Sequence, residues 1–252
     1  MNLTEALGLE ENSFLTCVGA GGKTSLLMTL GTEWQKEGRP FLLTATTKMF
    51  CWQVLDFYPV FCRDYERGSR QVRKFMSKHG CAAWFRAWRE TKVDGLPPEW
   101  IDELIRTGFA ANVLVEGDGA RKKLLKVPAP HEPVIPSASN LVAGVLSLKA
   151  VGEEFSSRFV HRLEIAAELL GKKPGERIEA ADLATLAAHP QGIFKGAGQK
   201  KVLVLAGRDG ENGSQAEIIA EQLNSSPAHI AACVVTEGYG KLMKPVEVYS
   251  YE

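Results

Sequence analysis

Residues Val18–Ser25 read VGAGGKTS and lie between an apolar run and a segment of mixed polarity. The apolar run, SFLTCV over Ser13–Val18, predicts a buried strand, and Lys23–Glu37 predicts a helix that Gly38 ends. A strand, a glycine-rich turn and a helix in this order aim several backbone N–H groups and the positive end of the helix dipole at one spot. We therefore expect a phosphate-binding loop at this junction.

The residue types of the loop suit a nucleotide. Glycine lets the backbone approach a phosphate closely, Lys23 would neutralise β/γ-phosphate charge, and the Thr24 hydroxyl would join a Mg²⁺ shell. The longer G-x-x-x-x-G-K-[ST] spacing would need glycine where the chain has Cys17, so the loop is a shortened G-x-x-G-K-T form. The predicted nucleotide contacts in the loop are Gly19, Ala20, Gly21, Gly22, Lys23, Thr24 and Ser25.

The glycines allow two other interpretations. A dinucleotide-binding fold would need a third glycine at Thr24 and an acidic residue near the end of the second strand, where Thr44–Lys48 stands. A helix start with incidental glycines is the purely structural alternative. Placement between strand and helix, together with G-K-T, favours the nucleoside-triphosphate loop.

A second motif, VLVEGDG over Val113–Gly119, has the form of an apolar strand that ends in acids. Glu116 and Asp118 are two residues apart, so in an extended segment they face the same side. One carboxylate could hold Mg²⁺ and the other could orient an attacking water. We predict Lys23, Glu116 and Asp118 as catalytic residues and Thr24, Glu116 and Asp118 as metal ligands. Solvated loop carboxylates are the alternative.

Two further groups are predicted to contact the nucleotide. Thr46, Thr47 and Lys48 follow the second strand and would lie at the carboxyl edge of the sheet, where open α/β folds bind ligands. Arg121 follows the acidic motif and could stabilise transition-state charge. Ordinary loop polarity is the alternative for both groups.

Alternation of apolar runs with helical patterns extends over the whole chain and predicts βαβ units. We expect an α/β fold, a P-loop NTPase-like three-layer sandwich with a mostly parallel central sheet, as a single domain over 1–252. Ser214 and Glu217 form an S-x-x-E capping box. The predicted strands are 13–18, 41–46, 81–85, 112–116, 141–148, 201–207 and 229–235, and the predicted helices are 23–37, 67–79, one opening at Pro97, 161–170, 180–188 and one from Ser214.

Composition narrows the class of protein. Thirty basic residues balance thirty acidic ones in 252 residues, which disfavours a nucleic-acid binder. Residues 63–92 carry nine Lys or Arg against three acids, a pattern typical of a solvated helix face, with a partner or an acidic cofactor as the alternative. No apolar run approaches the roughly 20 residues that span a bilayer, and no signal-like start or C-x-x-C pair is present. We expect a cytoplasmic protein without membrane contact.

Several motifs together resemble the YqeC family. They are GAGGKT, TATTKM, EGDGARKKLLKVPAPHEPVIP and the late HPQG turn. The resemblance implies a P-loop nucleotide-binding protein that helps mature selenium-dependent molybdenum hydroxylases. The implied partner is such a hydroxylase or its selenium- and molybdenum-containing cofactor. The family's E-P-V-I-P run falls on Glu132–Pro136.

The short loop is also similar to that of Mur ligases, which bind ATP. Many YqeC relatives carry an N-K-x-D-like run where this chain reads LAGRDG, so Asp209 remains without its polar neighbours. We expect ATP, or another nucleoside triphosphate, with Mg²⁺. Three functions stay open: an NTPase in hydroxylase maturation, an ATP-dependent ligase or small-molecule kinase, and a non-catalytic nucleotide- or cofactor-binding scaffold.

Overall fold

The computed structural model describes residues 1–251. Within this range, fourteen strands and seven α-helices follow one another. The strands are β1 Phe14–Gly19, β2 Phe41–Ala45, β3 Lys48–Phe50, β4 Pro59–Phe61, β5 Cys81–Phe85, β6 Ala87–Arg89, β7 Lys92–Asp94, β8 Val113–Glu116, β9 Leu125–Lys126, β10 Leu141–Ser147, β11 Val160–His161, β12 Lys200–Ala206, β13 Ile230–Glu237 and β14 Lys244–Ser250. The helices are α1 Leu3–Ala6, α2 Lys23–Glu37, α3 Tyr65–His79, α4 Pro98–Arg106, α5 Leu163–Leu170, α6 Ala180–Ala188 and α7 Gly213–Asn224.

Nine strands form the central sheet in the order β14-β13-β12-β10-β1-β8-β2-β5-β4. All neighbours pair in parallel except β13 with β14. The central strand β1 lies between β10 and β8, so the loops that follow these three strands meet at one edge of the sheet. The prediction of a mostly parallel sheet is confirmed.

Helices cover both faces of this sheet and give three layers. Alternate residues of β2 show the division, because Phe41 and Leu43 pack with Leu26 and Trp34 of α2, whereas Leu42 faces the other side. Helices α1 and α2 lie on the first face. Helices α3 to α7 lie on the second, in two apolar clusters. The predicted three-layer sandwich is therefore correct.

Two small sheets lie outside the central one. Strands β3, β7 and β6 form an antiparallel sheet, and β9 pairs in parallel with β11. Gly95 brings the first small sheet against the end of β2, since a Cβ there would lie 2.3 Å from the Ala45 carbonyl oxygen. The sequence did not predict either small sheet.

The structure also corrects one detail of a helix start. The predicted capping box of Ser214 and Glu217 is wrong, because α7 begins one residue earlier and its N-cap is Asn212. The Asn212 side chain instead accepts a hydrogen bond from the Asp209 N–H.

The tryptophans of the basic stretch and the cysteines differ in how deeply they are buried. Trp84 of the basic stretch 63–92 is fully buried, whereas Trp88 is 55% exposed. Cys51 and Cys62 are half-buried, and Cys17, Cys81 and Cys233 are buried. Between residues 1 and 251, no helix is both long enough and apolar enough to cross a bilayer.

Candidate functional site: the phosphate loop and an adjoining cavity

The turn from β1 into α2 is shaped by its glycines. Gly19 has φ +97° and Gly21 has φ +78°, the left-handed region that favours glycine. A Cβ on Gly19 would lie 2.3 Å from the Val145 carbonyl oxygen of β10, and one on Gly21 would lie 2.4 Å from Ser147 Cβ. The Ala20 N–H donates to the same Val145 oxygen at 2.8 Å. The neighbouring strand therefore leaves no room for side chains here.

Lys23 lies beneath this turn. Its ammonium donates to the Gly19 carbonyl oxygen at 2.6 Å and lies 3.0 Å from Asp118 Oδ1. Burial lowers the pKa of Lys23, but the carboxylates of Asp118 and Glu116 outweigh burial, so the pKa lies above its ordinary value. The lysine is therefore charged and is held at the start of α2, where a phosphate would meet it.

Asp118 is fully buried and supports the loop from below. Its Oδ2 accepts the Gly19 N–H at 3.0 Å and lies 2.9 Å from Lys126 Nζ. With Lys23 on Oδ1, both oxygens contact protein donors. The predicted role of Asp118 as a catalytic residue and metal ligand stays a prediction, and in this structure its carboxylate contacts the phosphate loop and its lysine.

The charges continue beyond Asp118. Lys126 is fully buried and donates to Glu132 Oε2 at 2.8 Å, and Arg162 donates to the same oxygen at 2.8 Å. Burial raises the pKa of Glu132, but its hydrogen bonds to Arg162 and Lys126 prevail and bring the pKa to about 2. An alternating row of five charges thus runs from Lys23 to Arg162.

Glu116 and Thr24 form the pair expected of a magnesium site. The Thr24 hydroxyl donates to Glu116 Oε2 at 2.9 Å, from the start of α2 to the end of β8. Burial raises the pKa of Glu116, against the opposing effects of Lys23 and Thr24. Hydroxyl and carboxylate oxygens are the ligands that Mg²⁺ prefers, and in phosphate sites the nucleotide supplies others. These two residues are therefore suited to hold a Mg²⁺ ion that is also bound to a nucleotide.

A cavity of about 330 Å³ opens over the loop and this pair. The predicted nucleotide contacts Gly21 to Ser25 line it, and so does Glu116, the predicted metal ligand. Other lining residues were not predicted from the sequence, among them Phe50, Lys122 and Tyr239. Tyr239 follows β13 at the carboxyl edge of the sheet, and that position was the available signal.

The remaining predicted contacts face a different space. Thr46, Thr47 and Arg121 line an adjoining cavity of about 900 Å³, and Lys48 lines both cavities. The Thr46 hydroxyl donates a hydrogen bond to the Val134 carbonyl oxygen at 2.8 Å. The other predicted nucleotide residues are thus divided between two neighbouring cavities, whereas Gly19 and Ala20 line neither, and their N–H groups donate to Asp118 and Val145. Gly119 is the second residue that both cavities share.

The Asp209 carboxylate, a candidate for base selection in the sequence, forms hydrogen bonds within its own turn. Its Oδ1 accepts the N–H groups of Glu211 at 3.1 Å and Asn212 at 3.2 Å. That oxygen therefore stabilises the loop before α7.

Comparisons with known proteins agree with the sequence motifs. The family model described as YqeC protein matches residues 15–164. A curated protein from Escherichia coli (strain K12), described as uncharacterized protein YqeC, is 37% identical over 187 residues, which are 72% of this chain and 70% of that protein.

Two solved structures are similar at lower identity. Chloroplast FtsY from Physcomitrella patens matches with a TM-score of 0.47 and 17% identity, over 96% of this chain and 64% of that one. The signal recognition particle 54 kDa protein from Aeropyrum pernix K1, in complex with GDP, matches with a TM-score of 0.39 and 14% identity, over 97% of this chain and 48% of that one. The chain thus spans less than two thirds of either.

Proposed function

Since the chain belongs to the YqeC family, and since its loop carries a charged lysine beside a threonine–glutamate pair, we propose that it is a Mg²⁺-dependent nucleoside-triphosphate-binding protein with NTPase activity. The observation that carries the proposal is the loop Gly19–Thr24 beside Glu116. Backbone N–H groups and Lys23 would hold the phosphates. Mg²⁺, held by Thr24 and Glu116, would neutralise charge on the transferred phosphoryl group.

The chain's own residues have distinct parts in this proposal. Lys23 binds phosphate charge, and Asp118 with Lys126 keeps the loop in its shape. We favour ATP, because LAGRDG lacks the polar pair of a guanine-selecting motif and Asp209 Oδ1 is held by backbone N–H groups. Tyr239 borders the loop cavity and offers a ring face to a base.

The cellular role that we propose follows from the resemblance described above. It is accessory action in the cytoplasm during maturation of a selenium-dependent molybdenum hydroxylase. The partner that we propose is the hydroxylase or its cofactor, rather than a nucleic acid or a membrane. Co-purification of a molybdenum hydroxylase with the tagged chain, dependent on nucleotide, tests this role. Its absence under all nucleotide conditions would contradict it.

A second candidate function is ATP-dependent group transfer by a ligase or a small-molecule kinase. The observation that favours it is the 900 Å³ cavity, which shares Lys48 and Gly119 with the loop cavity. Ligand cavities typically measure about 300–1,000 Å³, so this one has room for an acceptor molecule. Phosphate release that requires a small acceptor would favour transfer, and release without one would favour simple hydrolysis.

The nucleotide proposal is tested by thermal unfolding with a panel of Mg-nucleotides. A ligand at about 100 times its Kd adds about 2.7 kcal/mol, which raises the Tm of a domain of this size by about 5–11 °C. Lys23→Met, which preserves volume in a buried position, should abolish the shift. Lys74→Met, an exposed lysine of α3, should leave it unchanged. No shift with any Mg-nucleotide, or an equal shift in Lys23→Met, would contradict the proposal.

A further inference from the structure

The 900 Å³ cavity is walled by the two small sheets rather than by the central sheet alone. Strands β3 and β7 supply Lys48, Lys92 and Asp94 on one side. Strand β11 and the residue after it supply His161 and Arg162 on the other. Elements outside the central sheet thus build a cavity directly beside the phosphate loop.

The lining of this cavity is cationic. Arg162 is paired with Glu132 at 2.8 Å, and Asp94 is paired with Arg89. In residues 1–251, no carboxylate lies within ion-pair distance of the three remaining cations, which are Lys48, Lys92 and Arg121. Three cations therefore border the cavity without a protein counter-charge.

Two arginines that line the cavity, Arg121 and Arg162, have unusual backbone conformations. Arg121 has φ +48° and Arg162 has φ +63°, a region that residues with a Cβ rarely adopt. Such conformations cluster at binding and active sites. Nearby, Gly119 leaves the floor open, since a Cβ there would have Thr47 Oγ1 as its nearest contact, at 3.8 Å.

We propose that this cavity binds a second substrate, a small organic molecule that carries a phosphate or pyrophosphate group. Three uncompensated cations match the two or more negative charges of such a group, whereas a single carboxylate would neutralise one of them. Lys48 borders both cavities and would contact the ligand and the nucleotide phosphates together. This inference deepens the function proposed above. It rests on that function only in taking the neighbouring loop cavity to be the nucleotide site.

The test is isothermal titration calorimetry with inorganic pyrophosphate in Mg²⁺-free buffer at low salt. Wild-type protein should bind two equivalents, one at the loop and one in the cavity. Lys23→Met should keep the cavity equivalent, and the double variant Arg121→Gln/Lys92→Gln should keep the loop equivalent. Lys74→Gln, which removes an exposed charge elsewhere, should bind two. Each charged hydrogen bond that is lost weakens binding by about tenfold or more.

Competition guards against a variant that fails to fold. In wild-type protein, saturating ADP should occupy the loop and leave one pyrophosphate equivalent, which the double variant should lack. Acetate tests the ligand class, because it carries a single carboxylate, and it should bind the cavity at least about tenfold more weakly than pyrophosphate, since one charged hydrogen bond is worth about that factor. Equal affinity for acetate would overturn the phosphate assignment.

The outcomes separate this inference from the proposed function. If wild-type protein binds one equivalent that Lys23→Met abolishes and the double variant keeps, the cavity proposal is overturned and the loop proposal stands. If the one equivalent persists in Lys23→Met and disappears in the double variant, the cavity proposal stands, and the Mg-nucleotide melts described above decide the loop proposal. No binding by any variant overturns the cavity proposal, and the same melts again decide the loop proposal.

Discussion

Lys126 offers the sharpest test of how the site is held together. It is fully buried, donates to the Gly119 carbonyl oxygen and to Glu132 Oε2, both at 2.8 Å, and forms an ion pair with Asp118 Oδ2 at 2.9 Å. Lys126→Met keeps the volume and removes all three bonds. Removing one partner of a buried ion pair costs about 3–5 kcal/mol. Each carboxylate keeps another cation, so we expect the lower end, about 3 kcal/mol.

The measurement is urea unfolding followed by circular dichroism, with the Tm as a second readout. A loss of about 3 kcal/mol lowers the Tm by about 6–12 °C in a domain of this size. Lys123→Met is the matched control, because Lys123 makes one 3.2 Å bond to the Arg158 carbonyl oxygen, and it should change stability by less than about 0.5 kcal/mol.

A double variant separates the ion pair from simple packing. Asp118→Asn/Lys126→Met should be more stable than the sum of the single effects predicts, by about 1 kcal/mol or more, because residues in one salt-bridge network couple. The reasoning is refuted if Lys126→Met unfolds within about 0.5 kcal/mol of wild type.

Three other predictions concern the loop and the two cavities. Gly19→Ala should destabilise by more than about 1 kcal/mol and abolish the Mg-nucleotide shift, because φ is +97° and Val145 blocks a Cβ; an unchanged melt would contradict this. Burial raises the pKa of Glu116, so its ionised form destabilises the fold, and Glu116→Gln should be more stable than wild type at pH 7 and lose that advantage below pH 4.5. This variant should also lose the Mg²⁺-dependent part of the nucleotide shift. Equal melting temperatures of variant and wild type across this pH range would refute the assignment. The pKa of His161 is lowered to about 4, first by burial and then by the charges of Arg162, Lys126 and Arg121. The stability that its neutral form contributes is therefore present above pH 6.5 and is lost as the pH falls toward 4. NMR titration should show this pKa and a higher one in Arg121→Gln, and a pKa near 6.5 in both proteins would contradict the prediction.

The central fold was predictable because its signals are long and regular. Strand β5 and helices α2 and α6 have the predicted bounds, since apolar strands buried on both faces and helices between breakers leave clear patterns. The small sheets could not be predicted in this way. Their strands are two or three residues long, too short for a period, and distant partners hold them in place.

The loop was predictable, but the environment of Asp118 was not. Strand β8 ends at Glu116, so the alternation of an extended segment no longer applies two residues later. Lys126 and Arg162 reach the site from β9 and from the turn after β11, through contacts that local sequence does not encode. Position at the carboxyl edge predicted which loops meet there, but not which of the two cavities each side chain faces.

The row of charges from Lys23 through Asp118, Lys126 and Glu132 to Arg162 connects the phosphate loop with the second cavity. A phosphate that draws Lys23 away from Asp118 would strengthen the ion pair between Asp118 and Lys126. Lys126 would then pair less strongly with Glu132, and Glu132 would pair more strongly with Arg162. A ligand that draws on Arg162 acts along the same row in the opposite direction. Linkage requires each ligand to change the other's affinity by the same factor. If both cavities bind ligands as proposed, these buried salt bridges would couple the affinity of one cavity to the occupancy of the other.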